Sequence, residues 1–188
     1  MDDQSSEDMF SLAMILVTEG RQSEAIMVMQ KLATILASQE GTESQRAKVM
    51  MNLGLMQATL HRFDEAIKSF LVSKALFEAS SELLHVAQVL GNIASCYRDL
   101  DQFEKSLALY QDALGVYQSL GHFRGIADQK ANIAYIFALN GLFVQAYSMF
   151  NEALQFYQDS GDEDKVDATM KNLQQIEQYL QESGYEGA

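Results

Sequence analysis

From Ala66 the apolar and small residues fall at 66, 70, 73 and 77, steps of four, three and four that trace one face of an α-helix. The stripe recurs at Ser106, Tyr110, Ala113 and Tyr117, and again at Ala146, Phe150, Ala153 and Tyr157. An earlier copy holds Ala25, Met29, Leu32 and Leu36. Ahead of each full stripe runs another apolar-periodic segment, ending near Leu60, Leu100 or Leu139, with Met50, Leu53 and Gly54 or their equivalents facing inward. The polar turns His61-Arg62, Asp101-Gln102 and Asn140-Gly141 separate the two segments and are too short for anything but an antiparallel helix hairpin.

The hairpins repeat. Asn52, Asn92, Asn132 and Asn172 stand 40 residues apart, and Gly41, Ser81, Gly121 and Gly161 precede each of them by 11. A weaker first copy lies 41 residues upstream, with Ser11 in place of the asparagine. The pattern predicts hairpins at about 7–40, 41–81, 82–120 and 121–160, then one helix at 163–182. Together they make a single domain over 7–182, between an acidic flexible amino terminus at 1–6 and a flexible tail at 183–188. The last helix turns glutamine-rich at Gln174, Gln175, Gln178 and Gln181, as a solvating cap on a stack of repeats does.

The sets Leu53-Gly54, Ala66, Phe70 and Ser73, then Ile93-Ala94, Ser106, Tyr110 and Ala113, then Ile133-Ala134, Ala146, Phe150 and Ala153 resemble the tetratricopeptide repeat. The resemblance covers about residues 7–182. It implies an all-α, right-handed superhelical solenoid of about four units and a capping helix, whose first helices line a concave groove for a protein or peptide partner. The period is 40 against about 34 in the common form. The proline that usually closes the second helix is replaced by Glu78, Gln118 and Gln158, so the helix stop is expected at the Gly41 column and Thr42 with Gln45 is expected to cap the next helix. This longer form is similar to the 40-residue repeats of spindle-orientation adaptors and of some bacterial peptide-responsive regulators.

Composition narrows the function. The formal charge is −13, but residues 9–150 hold 13 acids against 11 bases, so the acidity belongs to the ends and nucleic acid is not an expected partner. Proline and tryptophan are absent, and the lone Cys96 rules out an internal disulfide. No basic-plus-apolar leader and no membrane-length apolar run occurs, which points to the cytoplasm and away from a membrane. His61, His85 and His122 fall at unrelated phases of the repeat with no metal or dyad spacing, so neither an enzyme nor a metal or other cofactor is expected.

The expected activity is therefore protein binding. Asparagine amides both donate and accept, so Asn52, Asn92 and Asn132 suit the backbone of an extended peptide, although the same column can serve to join neighbouring helices. The repeat register adds Phe10, Met14, Lys48, Met51, Leu55, Arg98 and Tyr135 as groove contacts. Seven of the ten methionines lie between residues 9 and 56, which makes that end the more adaptable to an apolar partner. The basic columns of chaperone-docking repeats are not met, since Phe10 and Met51 stand at the first lysine and Asp128 with Asn132 at the last basic pair. A second reading makes the chain a self-associating assembly element, a homo-oligomer joined through Phe10, Leu12, Ile15 and Leu16 of the first helix.

Overall fold

The computed structural model describes residues 2–182, with side chains from residue 6 onward. Among them the regular elements are all α-helices: α1 (Asp2–Thr18), α2 (Gln22–Ala37), α3 (Glu43–Thr59), α4 (Phe63–Ala79), α5 (Leu83–Asp99), α6 (Phe103–Ser119), α7 (Phe123–Leu139), α8 (Phe143–Ser160) and α9 (Glu163–Glu182). Residues 2–6, expected above as a flexible lead-in, are helical; no glycine or proline stands there to stop α1, and acidic residues favour a helix start. Residue 1 and the tail at 183–188 lie outside the described residues. The chain divides into two compact units, Met1–Gln102 and Phe103–Ala188.

In the first unit α1 packs on α2, α2 on α3, α3 on α4 and α4 on α5, and α3 also touches α5. The stripe Ala25, Met29, Leu32 and Leu36 of α2 is buried with Val49, Leu53 and Met56 of α3. On α4 the stripe Ala66, Phe70, Ser73 and Phe77 is wholly buried, and each large apolar side chain of this kind contributes about 1.5–3 kcal/mol. Two polar ties cross the α3/α4 hairpin: Ser73 Oγ donates to the Ala47 carbonyl at 2.8 Å, and Ser69 Oγ donates to Gln57 Oε1 at 2.7 Å.

The second unit packs α6 on α7, α7 on α8 and α8 on α9. Ala134 of α7, Ala146 and Phe150 of α8, and Leu173, Ile176 and Leu180 of α9 share one core. The glutamine-rich cap helix thus buries an apolar stripe while Gln174, Gln175 and Gln178 stay exposed. Tyr147 of α8 adds a hydrogen bond to Glu177 Oε1 at 2.7 Å.

Helices end without proline by turning left-handed. Gly41, Ser81, Gly121 and Gly161 all have positive φ, and so does a column between the helices of each hairpin, Gly20, His61, Asp101 and Gly141. Behind His61, Arg62 N donates to the Gln57 carbonyl at 3.0 Å and His61 N to that of Ala58 at 2.9 Å, the paired closure that satisfies a helix's last carbonyls. The same closure carries Glu82 N to Phe77 O, His122 N to Tyr117 O and Asp162 N to Tyr157 O. After α2 the extra residue of the 41-residue first copy shifts the backbone, and the Thr42 hydroxyl supplies the bond instead, donating to Leu36 O at 2.7 Å. Thr42 therefore makes no side-chain cap for α3, contrary to the expected Thr42 and Gln45 box: its hydroxyl is spent on the preceding helix.

Candidate functional site

The α3 residues Lys48, Met51, Asn52 and Leu55 recur at spacings of three, one and three, which places them along one face. The opposite face, with Ala47, Val49, Leu53 and Met56, is buried, so the former is left toward solvent; Lys48 and Leu55 are exposed and Met51 and Asn52 half-buried. On α1, Met14 is exposed and Phe10 packs half-buried against the core. Asn92 and Arg98 lie on α5 in the same unit, whereas Asn132 and the exposed Tyr135 lie on α7 of the second unit.

The asparagine column is not uniform. Asn52 Nδ2 donates to the Lys48 carbonyl one turn back, at 2.9 Å. Asn92 and Asn132 are half-buried, and among the described residues neither side chain has a hydrogen-bond partner. Each then keeps donor and acceptor capacity for a ligand or water.

Charges on these helices are partly committed within the chain. Arg98 Nε pairs with the adjacent Asp99 at 2.7 Å. Asp128 of α7 accepts from Lys165 Nζ of α9 and, at 2.9 Å, from the Tyr157 hydroxyl of α8, so one carboxylate ties three helices. Burial, then the Asp128 charge and hydrogen bond, hold the Tyr157 phenol well above its ordinary range. Burial and Asp128 push Tyr117 up to about 12. Lys48, in contrast, has no ion-pair partner among the described residues.

A cavity of about 230 Å³ opens between α1, α2 and α3. Phe10, Leu32, Leu36 and Val49 form its apolar wall, and Glu7 and Lys48 bring opposite charges to it. Periodicity marked Phe10 and Lys48 individually but carried no signal of the cavity, which depends on the gap between helices. A more open hollow of about 560 Å³ follows the outer side of α8, past Tyr147, Asn151 and Gln155.

Chemistry elsewhere is sparse. Cys96 is buried, and burial followed by the Asp99 charge pushes its thiol up to about 11, which disfavours the reactive thiolate. His122 serves a structural end: its Nδ1 accepts from Gly125 N at 3.0 Å and caps α7. Among the described residues no group of three or more His, Cys, Asp or Glu side chains is arranged to hold a metal ion. No helix there is long and apolar enough to cross a membrane.

Residues 45–119 match the sequence model of the tetratricopeptide-repeat family. Those residues carry tetratricopeptide repeats. No curated protein matches the sequence. In fold it is similar to aspartyl phosphate phosphatase F from Bacillus subtilis, with a TM-score of 0.82 and 14% identity over 96% of this chain and 50% of that one. It is also similar to apo RapI, with a TM-score of 0.87 and 15% identity over 95% of this chain and 65% of that one. A Podosopora anserina protein of nearly identical TPR-like repeats gives a TM-score of 0.68 at 13% identity, covering 94% of this chain and 96% of that one. The chain thus spans half the length of the Bacillus subtilis protein, and at these identities the likeness is one of fold. The fold shared with these structures is an all-α helical repeat.

Proposed function

We propose that this chain is a non-enzymatic binding module, without cofactor, that captures a segment of a partner protein in the cytoplasm along the exposed faces of its first helices. Neither nucleic acid nor a membrane is its partner. The observation that carries the reading is that Asn92 in the first unit and Asn132 in the second are each half-buried amides that the chain itself leaves without hydrogen bonds among the described residues. Met14, Met51, Leu55 and Tyr135 supply apolar anchoring beside the asparagines, and Phe10 and Lys48 border a cavity that receives a side chain. Arg98, already paired with Asp99, acts at most as a rim charge. The test is affinity capture from native extract by the wild type and by the double variant Asn92→Ala, Asn132→Ala. Loss of the captured proteins with an unchanged thermal midpoint is expected; capture of the same proteins by the variant would end this reading.

A specific observation also favours self-association. Leu12 and Ile15 of α1 are 48% and 54% exposed, whereas the same two columns hold Leu53, Ile93, Ile133 and Leu173, and Met56, Cys96, Ile136 and Ile176, at 1–7%. The columns are built for stacking, and α1 presents them uncovered, as a surface a second copy can cover. Light scattering coupled to size exclusion decides: a mass independent of dilution at one chain removes this second reading.

A further inference from the structure

At one register the second helices carry Leu36, Phe77, Tyr117 and Tyr157. Each of the three rings lies against the following first helix, at positions that are also in register. Phe77 stacks on His85 with centroids 4.6 Å apart and planes at 14°. A Cβ added to Gly125 would stand 2.4 Å from Tyr117 Cδ1, and Lys165 Nζ lies 5.2 Å from the centroid of the Tyr157 ring. The first hairpin lacks the ring. Leu36 occupies its place, Gln45 is the counterpart of His85, Gly125 and Lys165, and both line the 230 Å³ cavity. Leu32, larger than its counterparts Ser73, Ala113 and Ala153, fills part of the space and still leaves the cavity open.

The fourth hairpin shows how a phenol is held at this register. The Tyr157 hydroxyl donates to Asp128 Oδ1 at 2.9 Å, and the counterpart of Asp128 on α1 is Glu7, which lines the cavity of the first hairpin. From this correspondence we infer that the cavity between α1, α2 and α3 receives the phenol ring of a tyrosine on the partner segment, with the ring replacing the one Leu36 lacks and its hydroxyl donating to Glu7. Volume agrees: an apolar cavity of about 150 Å³ accepts benzene, so 230 Å³ has room for a phenol. Chemistry selects tyrosine over phenylalanine, because a ring without the hydroxyl covers Glu7 and returns no hydrogen bond.

The inference deepens the partner-capture reading and rests on it only for the source of the tyrosine, so its test uses a small probe. The ¹H–¹⁵N spectrum of the whole chain is followed during titration with p-cresol, with toluene as the ring that lacks the hydroxyl. The expected result is saturable shifts centred on the Phe10, Leu36, Lys48 and Val49 amides, with p-cresol binding about three- to tenfold more tightly than toluene. Leu36→Tyr, which installs the ring of the later copies, abolishes both. Glu7→Gln, an exposed substitution that leaves folding unaffected, weakens p-cresol toward toluene, and it carries the test alone if Leu36→Tyr does not fold. Absence of saturable shifts at these amides, an unchanged affinity in a folded Leu36→Tyr, or an unchanged p-cresol preference in Glu7→Gln each overturns the assignment. The double variant Asn92→Ala, Asn132→Ala binds p-cresol as the wild type does, so failure of the asparagine reading is told apart from failure of this one.

Discussion

Gly54 of α3 lies under the ring of Phe70 on α4 so closely that an added Cβ would stand 2.6 Å from Phe70 Cε1 and 2.7 Å from Cδ1. Neither atom belongs to a flexible chain end, and Phe70 is fully buried, so the ring has nowhere cheap to go. The Leu53-Gly54 pair on which the family resemblance rests is thus a packing requirement of this hairpin. Gly54→Ala should destabilise by about 1–3 kcal/mol, read as a lower urea midpoint, despite alanine's better helix propensity. Phe70→Leu in that background should cost less than Phe70→Leu alone, because the clash is relieved.

The buried pair Ser69 and Gln57 offers a double-mutant cycle. Gln57→Leu leaves the Ser69 hydroxyl buried and unsatisfied and should cost about 1–3 kcal/mol, whereas Gln57→Leu with Ser69→Ala should recover most of it. Equal losses in the single and double variants would contradict the coupling.

Alkaline pH should weaken the fold through Tyr117 and Tyr157. Both phenols titrate higher folded than unfolded, so the folded chain holds their protons when the unfolded chain has released them. The Tyr117 contribution is complete below about pH 10 and is lost as the pH climbs toward about 12, and the Tyr157 contribution goes on falling above that, at roughly 1.4 kcal/mol per pH unit per group. Tyr157→Phe should flatten the decline seen in denaturant midpoints between these limits.

His61, Ser81 and Asp101 hold left-handed φ values of 57°, 57° and 56° without being glycine. The strain of that conformation, about 1–2 kcal/mol, exceeds the entropy that glycine adds to the unfolded chain, about 0.4–1 kcal/mol. Ser81→Gly should therefore raise the melting temperature, and Ser81→Val should lower it.

Cys96 should resist thiol reagents in the native state at pH 8 and react on unfolding, since burial raises its thiol to about 11. Rapid native labelling would show that the core around it opens.

Much of the fold is legible in the chain because helix burial follows period. The stripe Ala66, Phe70, Ser73 and Phe77, read from spacing alone, is the stripe that is wholly buried. The site is legible only in outline. Spacing puts Asn52, Asn92 and Asn132 in one column, yet Asn52 bonds to Lys48 and the other two do not bond within the described chain, a distinction set by side-chain rotation. Thr42 has the residue types of a helix cap, but one inserted residue turns its hydroxyl to Leu36.

By itself the sequence determined the 40-residue repeat, the helical hairpins and the faces they bury, because those follow from short-range periodicity and from the residue types that start and stop helices. Only the tertiary structure decided which polar groups are already spent and where space remains. Asp128 meets Lys165 across 37 residues, and a cavity opens beside Leu36, at the register where the later hairpins carry rings. Such features depend on distances between helices, which no local pattern encodes.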